Sequence, residues 1–302
     1  MHATAARAAR SVLAAMNATL GFGPIQLTWR FDPRDPRWAP FRTAYGAWLS
    51  DAVPHLVIDA EAGAPAANSA GPPLTDSLIR CRTVNGRDFD LGEGLVRGTV
   101  SGQGQVECTI APILLSGVGL RVLEQFFYLL FYEAALGGAA HESAAPFLMH
   151  GAAVLSGDRV HVFSGPPQAG KSTAAANSRP RAILTDECVA IIPGPGGPRA
   201  AGTPVNPSCA ERTPGEGPLG AVHLLEKASA HALLPIATAQ AVPRLVPEIM
   251  LPLRLLETDL GLGMARALDR ALLLCRARLV HLLRLRPDPG FWSLLEESRA
   301  GR

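Results

Sequence analysis

One segment of the chain has the residue types and the spacing that bind phosphate. Gly165–Ser172, with the sequence GPPQAGKS, fits the pattern G-x-x-x-x-G-K-[ST] without a mismatch. Glycine at the fixed positions lets successive backbone N–H groups point inward at phosphate oxygens. Lys171 would bring an ammonium group to the β- and γ-phosphates, and Ser172 would bring a hydroxyl group to Mg²⁺. The segment is therefore predicted to be a phosphate-binding loop.

The flanking sequence favours the same prediction. Val160–Phe163 is an apolar run typical of a strand, and Thr173–Ala176 is typical of the helix that follows such a loop. The N-terminus of that helix would point at the bound anion. The alternative is an ordinary turn rich in glycine and proline. The predicted nucleotide-binding residues are the motif and the residue after it: Gly165, Pro166, Pro167, Gln168, Ala169, Gly170, Lys171, Ser172 and Thr173.

Carboxylates follow two further apolar runs. Thr185-Asp186-Glu187 closes a strand predicted at Ala182–Thr185, and Glu226 follows the apolar run Ala221–Leu225. Phosphoryl transfer needs an acid to organise the metal or the nucleophile. Parallel strands beside a phosphate loop end at the same edge of the sheet, where ligands bind. We therefore expect these carboxylates near the loop, although Glu226 could equally be a solvated strand end.

The elements that position these groups are predicted to form two domains. Residues 1–140 would be a small β-rich α+β domain that ends in a helix at about Val118–Leu136, and residues 141–302 would be an α/β nucleotide-binding domain. The boundary is predicted near Gly137–Ala145. The strands predicted in the first domain are Ile25–Phe31, His55–Ala60, Ser77–Thr83, Asp88–Leu91 and Leu95–Thr109. Those predicted in the second are Leu148–Leu155, Arg159–Phe163, Ala182–Thr185, Val189–Pro193, Ala221–Leu225 and Leu279–Leu285, with helices at Lys171–Asn177, from about Ala237 to Arg276, and at Pro289–Ser298.

Composition argues against several classes of protein. The 302 residues are 48% hydrophobic and 18% charged, which supplies a full-sized core and argues against global disorder. A net charge of +2 lacks the basic bias of a nucleic-acid-binding protein. The most apolar stretch, Ile110–Leu136, is interrupted by Arg121, Glu124 and Glu133, which predicts a buried helix and not a membrane span. We therefore expect neither a nucleic acid nor a membrane as partner.

Cysteine usage and the N-terminus favour a cytoplasmic location. The five cysteines are far apart in the sequence and form no CxxC pair, which predicts free thiols and neither a disulfide framework nor a zinc site. The first twenty residues lack the continuous apolar segment and cleavage site of a signal peptide.

The second half of the chain resembles a known family. The residues that carry the resemblance are Met149–Ala153, the loop Gly165–Ser172 and Leu184–Glu187. They are similar to those of the HPr serine kinase superfamily, and more closely to its relatives in peptide-modification gene clusters such as those for lasso peptides. Supporting matches are Gly202-Thr203-Pro204, Pro218-Leu219, Leu283–Asp288 and Phe291-Trp292. The resemblance covers about Phe147 to the C-terminus.

The resemblance implies a P-loop kinase core of HPr kinase type that uses ATP and Mg²⁺. His150 would lie near the transferred phosphate, Lys171 would be the loop lysine, and Asp186 would act as the base toward a substrate hydroxyl. Without the resemblance, His150 is more simply interpreted as a structural histidine in the core.

The resemblance also implies a metal site. Ser172 would be the hydroxyl ligand, and Glu187, which stands where the family has a second Asp, would assist the metal. Glu226 is the second candidate for the metal carboxylate.

The loop departs from the family pattern. Pro166-Pro167-Gln168 replaces its usual Ser-Gly, and the helix between the loop and the acid pair is shorter. No stretch resembles the signature tied to dephosphorylation. These departures argue against a reverse phosphorylase activity and against HPr itself as the substrate.

Three functions are consistent with the sequence. The first is an ATP-dependent kinase that acts on a hydroxyl, such as a serine of a peptide or small protein, including a ribosomally made precursor peptide. The second is a kinase of the same fold that acts on a small metabolite. The third is a nucleotide-binding switch or assembly factor with little turnover. Residues 1–140 are expected to recognise the substrate, and a homo-oligomer remains open.

Overall fold

The computed structural model describes residues 16–32, 34–63, 81–84, 88–91, 95–101, 105–115, 119–138, 144–205, 212–253 and 260–300. These residues form a mixed α/β structure with two mixed sheets and, within the described ranges, six α-helices. The chain divides into two compact units. One unit comprises Gln26–Phe126 with the residues up to Leu20, and the other comprises Gly21–Ile25 with Phe127 onward.

The first sheet contains eight strands in the order β3-β1-β2-β4-β8-β7-β6-β5. Strands β2, β4 and β8 are mutually parallel, and the remaining pairs described by register are antiparallel. The elements of this part are β1 (Met16–Phe22), β2 (Ile25–Phe31), α1 (Ala39–Tyr45), β3 (Leu49–Ser50), β4 (Leu56–Ala62), β5 (Cys81–Val84), β6 (Asp88–Leu91), β7 (Val96–Val100), β8 (Gln105–Ile110) and α2 (Gly119–Gly138).

Sequence patterning predicted this part in outline. The strand at Ile25–Phe31 is confirmed, and the predicted strand at Leu95–Thr109 is two strands, β7 and β8, that pair antiparallel. Of the strand predicted at Ser77–Thr83, residues 77–80 lie outside the described residues. The division into compact units falls inside α2, between Phe126 and Phe127, and the domain boundary near Gly137–Ala145 stays a prediction.

The second sheet has the order β12-β10-β11-β15-β14-β13-β9, and β17 and β16 extend it from β15. Its elements are β9 (Phe147–His150), β10 (Ala152–Ser156), β11 (Arg159–Ser164), α3 (Lys171–Ala176), β12 (Ala182–Thr185), β13 (Cys188–Ile192), β14 (Arg199–Ala201), β15 (Glu216–Lys227), β16 (Ala232–Pro235), α4 (Thr238–Leu253), α5 (Leu260–Arg276), β17 (Val280–Leu285) and α6 (Phe291–Ala300).

Strand β15 joins the two halves of this sheet. Near its start it pairs antiparallel with β14, and further along it pairs in parallel with β11 on one side and β17 on the other. The sequence predicted only Ala221–Leu225 of this strand, because Pro218 and Gly220 interrupt the apolar run. Strand β15 therefore fixes the position of β11, which leads into the loop Gly165–Ser172.

A cluster of buried apolar side chains lies on the α3 and α6 side of β10, β11 and β17. Burial of such side chains is the dominant favourable term in folding. Its largest members are Phe163 of β11 and Phe291 and Trp292 of α6, with ring centroids 5.6 to 5.9 Å apart. The core therefore holds the strand before the loop and the helix after it against the C-terminal helix.

Two further sequence predictions can be compared with the structure. Cys108, Cys188 and Cys275 are free thiols, as predicted, and burial raises the pKa of each. Across the described ranges no helix is both long and apolar enough to span a bilayer.

Candidate functional site

The loop Gly165–Ser172 connects β11 to α3, as the sequence predicted. Gly165, Gln168 and Gly170 have φ angles of +151°, +66° and +109°. Residues with a Cβ rarely adopt such φ angles, which explains why glycine stands at positions 165 and 170. A Cβ on Gly165 would also lie 3.1 Å from the Cβ of Ala169. The backbone thus has the left-handed segments that curl a chain around an anion.

Lys171, the first residue of α3, turns its side chain back over the loop. Its Nζ donates to the carbonyl oxygens of Gly165, at 2.7 Å, and Pro166, at 3.2 Å. Burial lowers the pKa of Lys171, and the charges of Glu248 and Glu187 offset only part of this decrease. The ammonium group is therefore anchored on the loop within the electrostatic reach of two carboxylates.

The residues after Lys171 face solvent. Ser172 and Thr173 are exposed in the first turn of α3. Pro166, Pro167 and Gln168 are also exposed. The backbone of the turn is closed by hydrogen bonds from Ala169 N to Pro166 O, at 3.0 Å, and from Ala174 N to Gly170 O, at 2.8 Å. The loop is therefore closed by hydrogen bonds of its own backbone, and Ser172 is accessible to solvent.

Asp186 lies at the end of the sheet formed by the carboxyl ends of β11 and β12, and the loop leaves the sheet at this same end. Strands β11 and β12 are both antiparallel to β10, so they run in the same direction. Within β10, Ala153 pairs with Val162 on one side and Thr185 on the other. Asp186 follows β12 directly and is only 4% exposed. The structure thus places this carboxylate at the edge predicted from its position after an apolar strand.

Two chain corners meet beside Asp186. Strand β9 pairs with β13 and strand β10 pairs with β12, so the chain changes pairing partner at Gly151 and again at Asp186–Glu187. The Gly151 N–H donates to the Glu187 carbonyl oxygen at 3.0 Å. The sequence predicted one strand at Leu148–Leu155, and this prediction is wrong because the change of partner interrupts it at Gly151.

His150 stands at this corner between two carboxylates. Its Nδ1 lies 2.7 Å from Oε2 of Glu248, and its Nε2 lies 3.5 Å from Oε1 of Glu187. The side chain is 12% exposed. The His150 carbonyl oxygen accepts a hydrogen bond from Oγ of Ser164, the last residue of β11, at 2.8 Å. The structure therefore brings His150 and Glu187 together and connects them to the strand before the loop.

Glu248 was not identified from the sequence. It lies in α4, a proline-rich and largely apolar segment in which it is the one acidic residue and Arg244 is the one basic residue, and it is 6% exposed. A lone acid that is buried in an apolar helix needs a partner, because an uncompensated carboxylate is costly to bury. The single acidic residue of this segment was the signal that the sequence offered. Its partner, His150, lies 98 residues away in the chain and could not be identified from it.

Glu226 has a different environment. It is 40% exposed, and its carboxylate lies 3.5 Å from the Arg284 guanidinium on the neighbouring strand β17. Leu225, the residue before it, approaches the loop, because a Cβ on Gly165 would lie 3.7 Å from Leu225 N. Glu226 therefore directly follows the residue of β15 that lies beside the loop, and it forms an ion pair with Arg284 on the neighbouring strand.

The protein ligands of a metal ion would be few at this site. Among the described residues there is no group of three or more His, Cys, Asp or Glu side chains arranged to hold a metal. Magnesium at a nucleotide site takes most of its ligands from phosphate and water and only one or two from the protein. The donor set to consider is the exposed Ser172 hydroxyl with Glu187 or Glu226.

The site as a whole combines the glycine-rich loop, a buried lysine, a buried aspartate and an imidazole held between two glutamates. These groups can neutralise phosphate charge and accept a proton from a hydroxyl. No family model matches this chain, and no similar protein was found among curated proteins.

Proposed function

We propose that the chain is an ATP-dependent kinase with an HPr kinase-like P-loop core that phosphorylates a hydroxyl, a serine of a peptide or small protein. The observation that carries the proposal is the relation between the loop and Asp186. Lys171 is anchored on the loop after β11, and Asp186 is buried at the end of β12, which runs in the same direction. A phosphate-binding lysine and a base at one sheet edge are two of the parts that phosphoryl transfer uses, beside the metal ion.

The loop residues Gly165–Thr173 would hold the phosphates of ATP. The positive φ angles at Gly165 and Gly170 fit this role, because such angles let a backbone curl around an anion, and glycine has no side chain that would block the N–H groups. Ser172, with Glu187 or Glu226, would hold Mg²⁺. Bound Mg·ATP supplies the phosphoryl group and the charge of the metal.

Lys171 would stabilise negative charge on the transferring group. Its ammonium is held by two loop carbonyl oxygens, so it needs little reorganisation to meet a phosphate oxygen. Preorganised charge of this kind is usually the largest single contribution to catalysis.

Asp186 would orient the attacking hydroxyl and accept its proton. It shares the corner with Glu187 and His150, so three titratable groups meet at the edge of the sheet. Two carboxylates, Glu187 and Glu248, act on the charge of Lys171, so a further cation would help to offset the charge of a bound phosphate. This charge balance supports a metal-dependent reaction.

The test is a transfer assay in solution. The protein is incubated with Mg·ATP and with panels of serine-containing peptides and hydroxylated metabolites, and products are identified by their mass. Asp186→Ala is expected to abolish transfer and to retain ATP binding, because Asp186 acts on the hydroxyl and not on the nucleotide. The control is Asp269→Ala, an exposed aspartate of α5, which should leave both unchanged.

The outcomes separate the alternatives. A phosphorylated peptide supports the proposal, and a phosphorylated metabolite alone would replace the substrate class. Tight ATP binding without any product across both panels would contradict enzymatic activity and favour a nucleotide-binding switch or assembly factor.

A further inference from the structure

The buried carboxylate of Glu248 forms a hydrogen bond with the side chain of His150. Glu248 lies in α4, it is 6% exposed, and its Oε2 is 2.7 Å from Nδ1 of His150. Burying a carboxylate is costly unless a hydrogen-bonding partner offsets the lost hydration. At this distance the Nδ1–H donates to the carboxylate in a strong, charge-assisted hydrogen bond. The pairing with His150 therefore accounts for a charge in this helix.

The same hydrogen bond orients the imidazole ring. With Nδ1 donating to Glu248, the opposite ring edge is directed at Glu187, whose Oε1 is 3.5 Å from Nε2. A carboxylate on one ring nitrogen fixes both the tautomer and the direction of the other nitrogen. Glu248 thus determines which nitrogen of His150 faces the corner that contains Asp186 and Glu187.

The backbone of His150 is held by other contacts. It pairs with Cys188 of β13, and its carbonyl oxygen accepts from Ser164 Oγ. Loss of Glu248 would therefore release the imidazole ring while the main chain of β9 stays in register. This separation distinguishes a role in side-chain orientation from a general role in folding.

We propose that Glu248 is a positioning residue that holds the imidazole of His150 at the corner beside the phosphate loop. The electrostatic connection extends to the loop itself, because Glu248 and Glu187 both act on the ammonium group of Lys171. Glu248 contacts His150 and not the reacting atoms, so its effect on catalysis passes through His150. This role rests on the proposed kinase function.

The first test is a double-mutant cycle between Glu248 and His150. Glu248→Ala is expected to lower kcat roughly 10- to 100-fold, the usual effect of removing the partner that orients a functional histidine. The Kd of Mg·ATP should change less than kcat, since Glu248 acts on Lys171 only through its charge. Glu248→Gln keeps an acceptor for the Nδ1–H and should lose less. In a His150→Ala background, Glu248→Ala should cause no further loss of kcat, because the group through which it acts is gone. Glu297→Gln, an exposed acid in α6, is the control.

The second test does not depend on activity. In protein labelled with ¹⁵N-histidine, the Nδ1 proton of His150 should be shifted downfield and slow to exchange, and this signal should disappear in both Glu248→Ala and His150→Ala. If the alanine variant fails to fold, Glu248→Gln should keep the signal but move it upfield, because a neutral amide oxygen is a weaker acceptor than a carboxylate.

The two tests distinguish a failure of the positioning role from a failure of the kinase function. Additive losses of kcat in the cycle, or a wild-type spectrum without the protected proton, would overturn the positioning role while leaving the kinase function intact. Wild-type protein that binds no Mg·ATP would overturn the kinase function, and the positioning role with it, even with the protected proton present.

Discussion

Gly151 and Glu187 are joined by a backbone hydrogen bond, with 3.0 Å between the amide nitrogen of Gly151 and the carbonyl oxygen of Glu187. The bond connects the two corners at which the chain changes pairing partner. His150 precedes one corner and Asp186 begins the other. This contact between main chains therefore connects the segments that carry both candidate catalytic side chains.

Enlarging Gly151 should disturb the corner. A Cβ at this position would lie 3.0 Å from the Phe163 carbonyl oxygen and 3.3 Å from Cγ1 of Val162. Gly151→Val is expected to destabilise the protein by about 1–3 kcal/mol, the usual cost of overpacking, as measured by urea denaturation. The control is Gly196→Ala, where a Cβ would meet no atom within 4 Å. Equal stability of the two variants would contradict the close packing at the corner.

Lys171 should be required for nucleotide binding. At a concentration of Mg·ATP about 100-fold above Kd, a specific ligand stabilises the folded state by about 2.7 kcal/mol, which raises the Tm of the wild type. Lys171→Met should abolish this rise, because the ammonium group is lost. The chain offers a matched control in Lys227→Met, since Lys227 is the only other lysine and is exposed. A ligand-induced rise that persists in Lys171→Met would argue against the loop as the nucleotide site.

Trp292 should stabilise the connection between α6 and the end of α3. Its indole N–H donates to Ser178 Oγ at 3.0 Å, and Ser178 Oγ donates in turn to the Ala174 carbonyl oxygen at 2.6 Å. Trp292→Phe is expected to cost about 1 kcal/mol for the lost hydrogen bond. Trp292→Ala should cost roughly 3–5 kcal/mol because it also leaves a cavity. Chemical denaturation measures both, and Ser293→Ala, exposed on the same helix, should be neutral.

Asp288 should make stability depend on pH in the acid range. Hydrogen bonds from His231 Nε2, at 2.7 Å, and from the Gly290 N–H, at 2.9 Å, lower the pKa of Asp288 from 3.8 to about 2, with a contribution from the charge of Arg286. Because the folded-state pKa lies below the unfolded one, the stabilisation is complete above about pH 4 and is lost as the pH falls toward 2.

The test compares wild type and Asp288→Asn by urea denaturation between pH 3 and 6. The wild type should be more stable near pH 6, and the difference should shrink as the pH falls. A constant difference over this range would contradict the lowered pKa. Asp269→Asn, at an exposed position in α5, is the control.

Local sequence patterns predicted the loop, its flanking strand and helix, and the closing helix, because each depends on residues adjacent in the chain. The patterns missed β1 and α1. In β1 the buried residues Ala18, Leu20 and Phe22 do alternate, but Asn17 and Gly21 between and beside them are residue types with low strand propensity. Helix α1 is only seven residues long. Short elements of this kind are stabilised by tertiary packing more than by intrinsic propensity.

The sequence by itself determined the glycine-rich loop at Gly165–Ser172 and the order of His150, Lys171 and Asp186 along the chain. It also indicated that Asp186 follows a strand, which predicted the sheet edge where it lies. Only the tertiary structure decided which groups meet. Glu248 contacts His150, which is 98 residues away in the chain. The Gly151 amide donates to the Glu187 carbonyl oxygen where the chain changes from one strand pairing to the next. Such contacts depend on sheet pairing and helix packing between distant segments, and no local pattern of residue types specifies them.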